Sequence, residues 1–461
     1  MPREDVVVVI VGTLSLGYAL QVSSGFYHPI ALVLLTISIG CAALALMGLP
    51  GRLVGGRAGE ATVVGVLAIG LTVNFVMLAT MPIALYLGNP APSAHPQFLA
   101  GLAVAFVLLT LIIVDPSRAS RGWFPLLLVT FAALGVWTIR SSPTPQIDVI
   151  PVHREAIAAF ASGQSPYSVT FENIYGHNEF YSPDMVRGGR VLFGLPYPPL
   201  SLLMAIPGQS LLGDIRFAEL GALVLGAMLI GYCTANRVSM LSAALVLFTP
   251  RVFFVVEQAW TESFAVCWLG ATVFALCQRV SGGPVALGLL CAVKQHLIIA
   301  MALYPIADQS WRRALLIAAS IAVLVTVPFA LWDPIGVFRS VVWLQFVEPF
   351  RLDSLSLLSF LARSGLPIST TTSTVASLGA LIVSGLFAWR TAPRTSGGFA
   401  LALGFVLLIL FAFSKKAFCN YYFFVIAAFA ASIAASPKDV SSPDDWRTSA
   451  RRSLVHRALQ E

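Results

Sequence analysis

Residues 145–167 read PQIDVIPVHREAIAAFASGQSPY, and a glycine- and aromatic-rich passage leads from there to LPYPPL at 195–200. This polar segment is set between long hydrophobic runs. It gathers Asp148, His153, Arg154, Glu155, Tyr167, Glu172, His177, Glu179, Asp184, Arg187 and Arg190 in a chain that is otherwise poor in charge. Helices that only cross a bilayer do not need such a loop. The loop therefore reads as the chemical part of the molecule and the apolar remainder as its mount.

Composition sets the class. Hydrophobic residues make up 57% of the chain, charged residues 11%, and the mean hydropathy is +0.85. A soluble domain carries about 25% charged residues. Apolar runs approaching the roughly 20 residues that span a bilayer recur along the sequence, which predicts an all-α polytopic membrane protein. The runs are continuous rather than alternating, which argues against a β-barrel. The six cysteines lie in or beside apolar runs without CxxC spacing, so neither a disulfide framework nor a metal knuckle is expected. The net charge of +7 fits basic cytoplasmic ends better than nucleic-acid binding, because no dense basic–aromatic patch occurs. The first twenty residues lack a convincingly basic n-region and an A-x-A site, and read as an uncleaved first span.

Working outward from the loop, apolar spans precede it near 5–23, 29–49, 61–87, 98–114 and 123–139. Arg52, Arg57, Arg118 and Arg121 fall in alternate linkers, while those around His28 and at 89–97 carry no Lys or Arg. The positive-inside rule then places the N-terminus in the cytoplasm and residues 140–196 outside. After the loop, PPLSLLMAIPGQSLLGD reads as an interfacial helix. Further spans follow near 217–235, 239–256, 261–279, 284–294, 296–309, 313–332, 370–389, 397–414 and 419–436. The short pair 284–294 and 296–309 reads as two half-helices meeting at Lys294-Gln295-His296, as happens where irregular backbone lines a cavity. A second outer loop runs from Asp333 to about Pro367. The total is about 14 crossings with both termini cytoplasmic. The domains are 1–139 (N-terminal transmembrane helices), 140–216 (extracytoplasmic loop with interfacial helices), 217–436 (main bundle) and 437–461 (cytoplasmic tail).

Lysine usage points to chemistry. Only four of the 28 basic residues are lysines, and Lys294, Lys415 and Lys416 sit at the outer ends of spans, against the positive-inside trend. Ionisable groups there are costly. Snorkelling to lipid phosphates accounts for them; so does a pocket for an anionic head group such as phosphate or pyrophosphate. His296 and Arg351 are further candidate donors to that group. Asp148, ahead of an amphipathic segment, suits general-base work on a sugar hydroxyl and equally suits a helix cap or a partner for Arg154. His153 and Glu155 are the backup catalytic candidates, with His177 and Asp184 weaker. Glu257, Gln258, Trp260 and Glu262 cluster at an outer helix end as either an interfacial belt or a sugar site. Asn420-Tyr421-Tyr422 suits both interface anchoring and sugar stacking. The candidate substrate contacts are Arg154, Tyr167, Tyr197, Glu257, Gln258 and Tyr421.

The order of motifs is an Asp in the first large loop, R-E-A-x-x-x-x-x-x-G-x-S-P-Y, Y-P-P-L and G-D-x-R, then K-Q-H, R-x-D-S-x-S and K-K-A-F-x-N-Y-Y. Over roughly 140–430 this order resembles the GT-C superfamily of integral-membrane glycosyltransferases. It is most similar to the polyprenyl-phosphate-mannose-dependent mannosyltransferases of actinobacteria and their relatives. The resemblance implies a GT-C-like bundle in a bacterial plasma membrane and a sugar donor carried on polyprenyl phosphate. It also implies a glycolipid or glycan acceptor and inverting transfer on the outer face. Residue by residue, the general base matches Asp148, and the contacts to donor phosphate match Lys294 and the Lys415–Lys416 pair. Two departures stand out. Four spans precede the one leading into the loop, where many relatives have none, and the acidic site is a single Asp rather than a pair. No metal and no cofactor are expected. Rival readings are a transporter or flippase, which predicts mid-membrane charges and repeated halves; an O-antigen ligase or polymerase, which predicts a large late loop; and a catalytically dead scaffold.

Overall fold

A computed structural model describes residues 1–54, 59–176, 180–181, 183–308 and 310–436; Arg57, His177, Glu179 and the basic tail from 437 lie outside the described residues. The chain opens with helices α1 (Arg3–Ser23), α2 (Pro29–Leu46), α3 (Glu60–Thr80), α4 (Pro96–Val114) and α5 (Phe124–Ser141). Two helices follow around the polar loop, α6 (Val149–Ala161) and α7 (Pro199–Leu212). The main bundle comprises α8 (Arg216–Tyr232), α9 (Arg237–Leu247), α10 (Val252–Glu257), α11 (Glu262–Gln278), α12 (Gly283–Val293), α13 (Ile299–Leu303) and α14 (Trp311–Trp332). It closes with α15 (Leu357–Arg363), α16 (Thr370–Thr391), α17 (Ser396–Ala412) and α18 (Cys419–Ala434). Among the described residues, seven helices are long and apolar enough to cross a membrane: α1 to α5, with α5 extended back to Pro116, and α14 and α16. This is a helical integral membrane protein.

Burial explains which helices carry a one-sided pattern. α17 and α18 are buried almost along their whole length, with α18 packed on α1, α9, α11 and α17. A helix enclosed on all sides needs no polar stripe. α14 and α16 are peripheral instead, with Leu316, Leu324, Val375 and Val383 exposed. α6 is the amphipathic exception. It buries Val152, Ala156 and Ile157 and turns Arg154 outward.

Three expectations change. The predicted span 239–256 is two helices, because Pro250 lacks an amide N–H and Arg251 takes a left-handed φ of 67°, turning the chain between α9 and α10. The predicted span 61–87 ends at Thr80: Met81, before Pro82, is extended (φ −108°, ψ 160°), as the residue preceding a proline prefers. Residues 81–91 then form a loop rather than the end of a helix. The polar loop also holds a small antiparallel sheet, order β1 (Phe171–Glu172), β3 (Arg190–Val191), β2 (Val186–Arg187). Gly188 and Gly189, at φ 57° and 75°, supply the two-residue turn between β2 and β3. The half-helix pair does form, with Lys294 extended (φ −142°, ψ 144°) between α12 and a short 3-10 turn, Gln295–Ile298.

Packing between α8 and α11 rests on small residues, as is common between helices in lipid. A Cβ on Gly270 would lie 2.5 Å from Gly226 O, and one on Gly226 would lie 2.7 Å from Val266 O. Gly270→Leu should therefore force the helices apart. The expected cost is about 1–3 kcal/mol, read as a lowered unfolding temperature in detergent; an unchanged temperature would contradict this packing.

Candidate active site

Asp148 lies immediately before α6, seven residues past the end of α5. Arg216, almost fully buried at the start of α8, fixes the approach. Its guanidinium binds Asp214 through Nε and Nη2 and donates from Nη1 to Ser142 O at 2.7 Å. The end of α5 is thereby tied to the G-D-x-R corner, and the chain enters the loop at a set position. Two tyrosines then hold Asp148. Tyr181 Oη donates to the carboxylate, and Tyr175 Oη accepts from the Asp148 backbone N–H at 3.2 Å. Burial raises the Asp148 carboxyl above the usual aspartate range, opposed by the Tyr181 hydrogen bond and the nearby Lys416 charge.

The carboxylate faces a cavity of about 300 Å³, a volume in the range of small-molecule sites. Lys294, His296, Arg351 and Lys416 line the same cavity, as do Tyr197, Gln258 and Tyr421. Asp148 and several basic side chains scattered along the sequence thus share one pocket. Lys294 Nζ sits 5.3 Å from the Tyr197 ring centre and 5.6 Å from that of Tyr421, within cation–π reach. Arg351 lies between the rings of Phe180 and Phe418, at 4.2 and 4.9 Å. Aromatic faces and fixed cations together suit a ligand with sugar-like and anionic parts.

The other sequence candidates lie elsewhere. His153 is buried behind the wall, with Nδ1 2.9 Å from Val149 O and its ring stacked on Tyr197; burial pushes its imidazole down to about 4. Glu155 forms a half-exposed ion pair with Arg190 at 2.9 Å, and Arg154 is exposed. Tyr167 is buried and donates to Tyr197 O at 3.0 Å. Lys415 does not line the cavity; its Nζ donates to Glu348 O at 2.8 Å, and burial lowers its ammonium to about 8. For its neighbour Lys416, burial works against the charge, but Glu348, Tyr421 and Asp148 together outweigh it, and the ammonium is raised. Glu257 is fully buried and accepts from the backbone N–H groups of Leu85 and Tyr86, both at 2.8 Å. It holds the 81–91 loop; Asp184 lines a separate groove with Arg339 and Trp343.

Several cavity residues were not singled out from sequence. Tyr175 and Tyr181 lie in the glycine- and aromatic-rich passage, which has no periodicity to mark a face. Glu348 lines the cavity and pairs with Lys416. Gln295 donates to Pro196 O at 2.7 Å and Val341 O at 3.1 Å, joining the α12 break to the 140–196 and 333–367 segments. Ser24 and Phe26, from the turn between α1 and α2, and Leu85 and Tyr86, from the 81–91 loop, also line it, so the site is not confined to 140–216. Among the described residues, no three His, Cys, Asp or Glu side chains come together as metal ligands.

Glu257→Ala should leave two amide groups of the 81–91 loop without their acceptor. A loss of about 1–3 kcal/mol is expected, with faster proteolysis inside 81–91. Unchanged unfolding and cleavage would show that the loop is held by other contacts.

No family model and no curated protein matches this sequence. A solved structure, that of ArnT from Cupriavidus metallidurans bound to undecaprenyl phosphate, is similar over 72% of this chain and 63% of that one, at 15% identity and a TM-score of 0.42. The chain thus matches less than two thirds of that protein's length, and so loose a likeness carries nothing about the chemistry of either.

Proposed function

We propose that this protein is a GT-C-type glycosyltransferase. It moves a sugar, mannose or another hexose or pentose, from a polyprenyl-phosphate donor to a lipid-linked or glycan acceptor on the extracytoplasmic face of a bacterial plasma membrane. One observation carries the reading: the Asp148 carboxylate and the ammonium groups of Lys294 and Lys416 line a single cavity walled by aromatic rings. The motif order from 148 to 422 supports it.

The chemistry follows from that pairing. The acceptor hydroxyl oxygen attacks the anomeric carbon, and the bond from that carbon to the phosphate oxygen breaks with its electrons going to the phosphate. The configuration inverts. The hydroxyl proton passes to Asp148 as general base. Negative charge grows on the leaving phosphate, so Lys294 and Lys416 stabilise the transition state more than the bound donor. Tyr181 keeps the base aimed and ionised.

Asp148→Asn should lower transfer from a short-chain polyprenyl-phosphate-mannose by about 10²–10⁴-fold while leaving donor binding within about twofold. Transfer at the wild-type rate would remove Asp148 from the role. Glu155→Gln, which touches only the outer Arg190 pair, should keep full activity.

The pH profile gives an independent check. The base works when deprotonated, so transfer should rise with pH through a midpoint above the usual aspartate value of about 3.9. Tyr181→Phe removes a hydrogen bond that favours the carboxylate, so the acid limb should move to higher pH. Movement to lower pH would contradict the assignment.

A further inference from the structure

Three cations face the cavity, and each already holds a carboxylate. Lys294 Nζ lies 2.5 Å from Glu262 Oε1, Lys416 pairs with Glu348, and Arg351 binds Asp353 through two bonds of 2.8 and 2.6 Å. The first pair is almost fully buried, with side-chain exposures of 6% and 2%. Burying an ion pair carries a desolvation cost that a hydrophobic pair would avoid. A pocket shaped only to grip an anion as tightly as it could would leave its ammonium groups without such partners.

The placement of Glu262 is informative. Lys294 and Asn420 line the cavity and Glu262 does not. Its Oε1 accepts from both Lys294 and Asn420 Nδ2, the latter at 2.8 Å, while Oε2 is buried without a partner. Seen from the cavity, the carboxylate stands behind the ammonium. An anion arriving in front meets a lysine whose charge is already opposed. Glu348 likewise opposes its own lysine, Lys416, but does so from the cavity wall itself.

Resting on the glycosyl-transfer reading, we propose that Glu262 and Glu348 are positioning residues that set product release. They weaken the pocket's hold on the phosphate monoester left after transfer more than its hold on the phosphodiester donor. The donor's phosphodiester carries one negative charge. Transfer converts it to a monoester whose second ionisation lies near pH 6, so near neutral pH it carries close to two charges. Repulsion from a fixed carboxylate scales with the ligand's charge. Each glutamate therefore acts on the product about twice as strongly, in free energy, as on the donor. The spent carrier leaves, and the lysines remain in place for the next transition state.

The test measures two affinities on the purified full-length protein in detergent near pH 7.5, with farnesyl phosphate as the monoester and farnesyl methyl phosphate as the diester. Glu262→Gln should tighten diester binding by roughly threefold and monoester binding by the square of that, about tenfold. Monoester preference should then rise by about threefold, and Glu348→Gln should move it the same way. Glu262→Asp, which keeps the charge, should retain the wild-type ratio. A purely structural role for Glu262 would not move the ratio. If Glu262→Gln does not fold, Glu348→Gln, in the more exposed pair, carries the same comparison. Glutamine variants that weaken the monoester, or shift both esters equally, overturn the proposal while leaving the transfer reading in place. A wild-type protein that binds neither ester overturns both.

Discussion

A lysine ammonium in an apolar bundle must have a counter-charge or an opening to water, and Lys294 has both. Its backbone is extended where α12 ends, so the side chain leaves the helix axis and reaches the cavity. Glu262, from the start of α11, balances it from behind. The break also frees space at the helix end, and Gln295 uses that position to bind carbonyls from two loops, at Pro196 and Val341. One interrupted helix thus places a cation, sets its partner and brings the two loops together.

The remaining walls converge on that point. Arg351 N donates to Lys415 O at 2.9 Å and Leu355 N to Ala417 O at 3.0 Å, so the segment around 351–355 runs alongside the Lys415–Lys416 segment. The turn between α1 and α2 seats against the same strip: a Cβ on Gly25 would lie 2.0 Å from Cys419 N, an approach that glycine alone allows. Tyr27 N donates to Asp353 O at 2.7 Å, and Phe26 packs edge-on against Phe418. The connections between the N-terminal helices therefore do more than mount the loop. They supply part of the cavity wall beside Asp148.

What was legible in the sequence was chemistry out of place. Asp148 and the outer lysines stood out because charge at an apolar helix end has few explanations, and the two half-helices stood out by length. Their partners did not stand out. Glu262 read as one carboxylate of a cluster that suited an interfacial belt or a sugar site, and Glu348 was not singled out, because only folding shows which cation each one meets. Sequence proximity misled at His153 and Glu155. On a helix of 3.6 residues per turn, His153 falls away from the face of Asp148. Glu155 shares that face but sits about two turns farther along, where it meets Arg190 instead. The span 239–256 showed an apolar run but not the left-handed turn at Arg251, since hydrophobicity is blind to backbone handedness. The 81–91 loop depends on the buried Glu257, whose backbone N–H donors, Leu85 and Tyr86, lie more than 170 residues away in sequence.

The most direct measurement is a cryo-electron microscopy structure of the full-length protein with a non-cleavable phosphonate analogue of a polyprenyl-phosphate sugar. The account predicts the phosphonate within hydrogen-bonding distance of Lys294 and Lys416, with the sugar ring between it and the Asp148 carboxylate. A phosphonate bound away from both lysines, or a sugar turned away from Asp148, would contradict it.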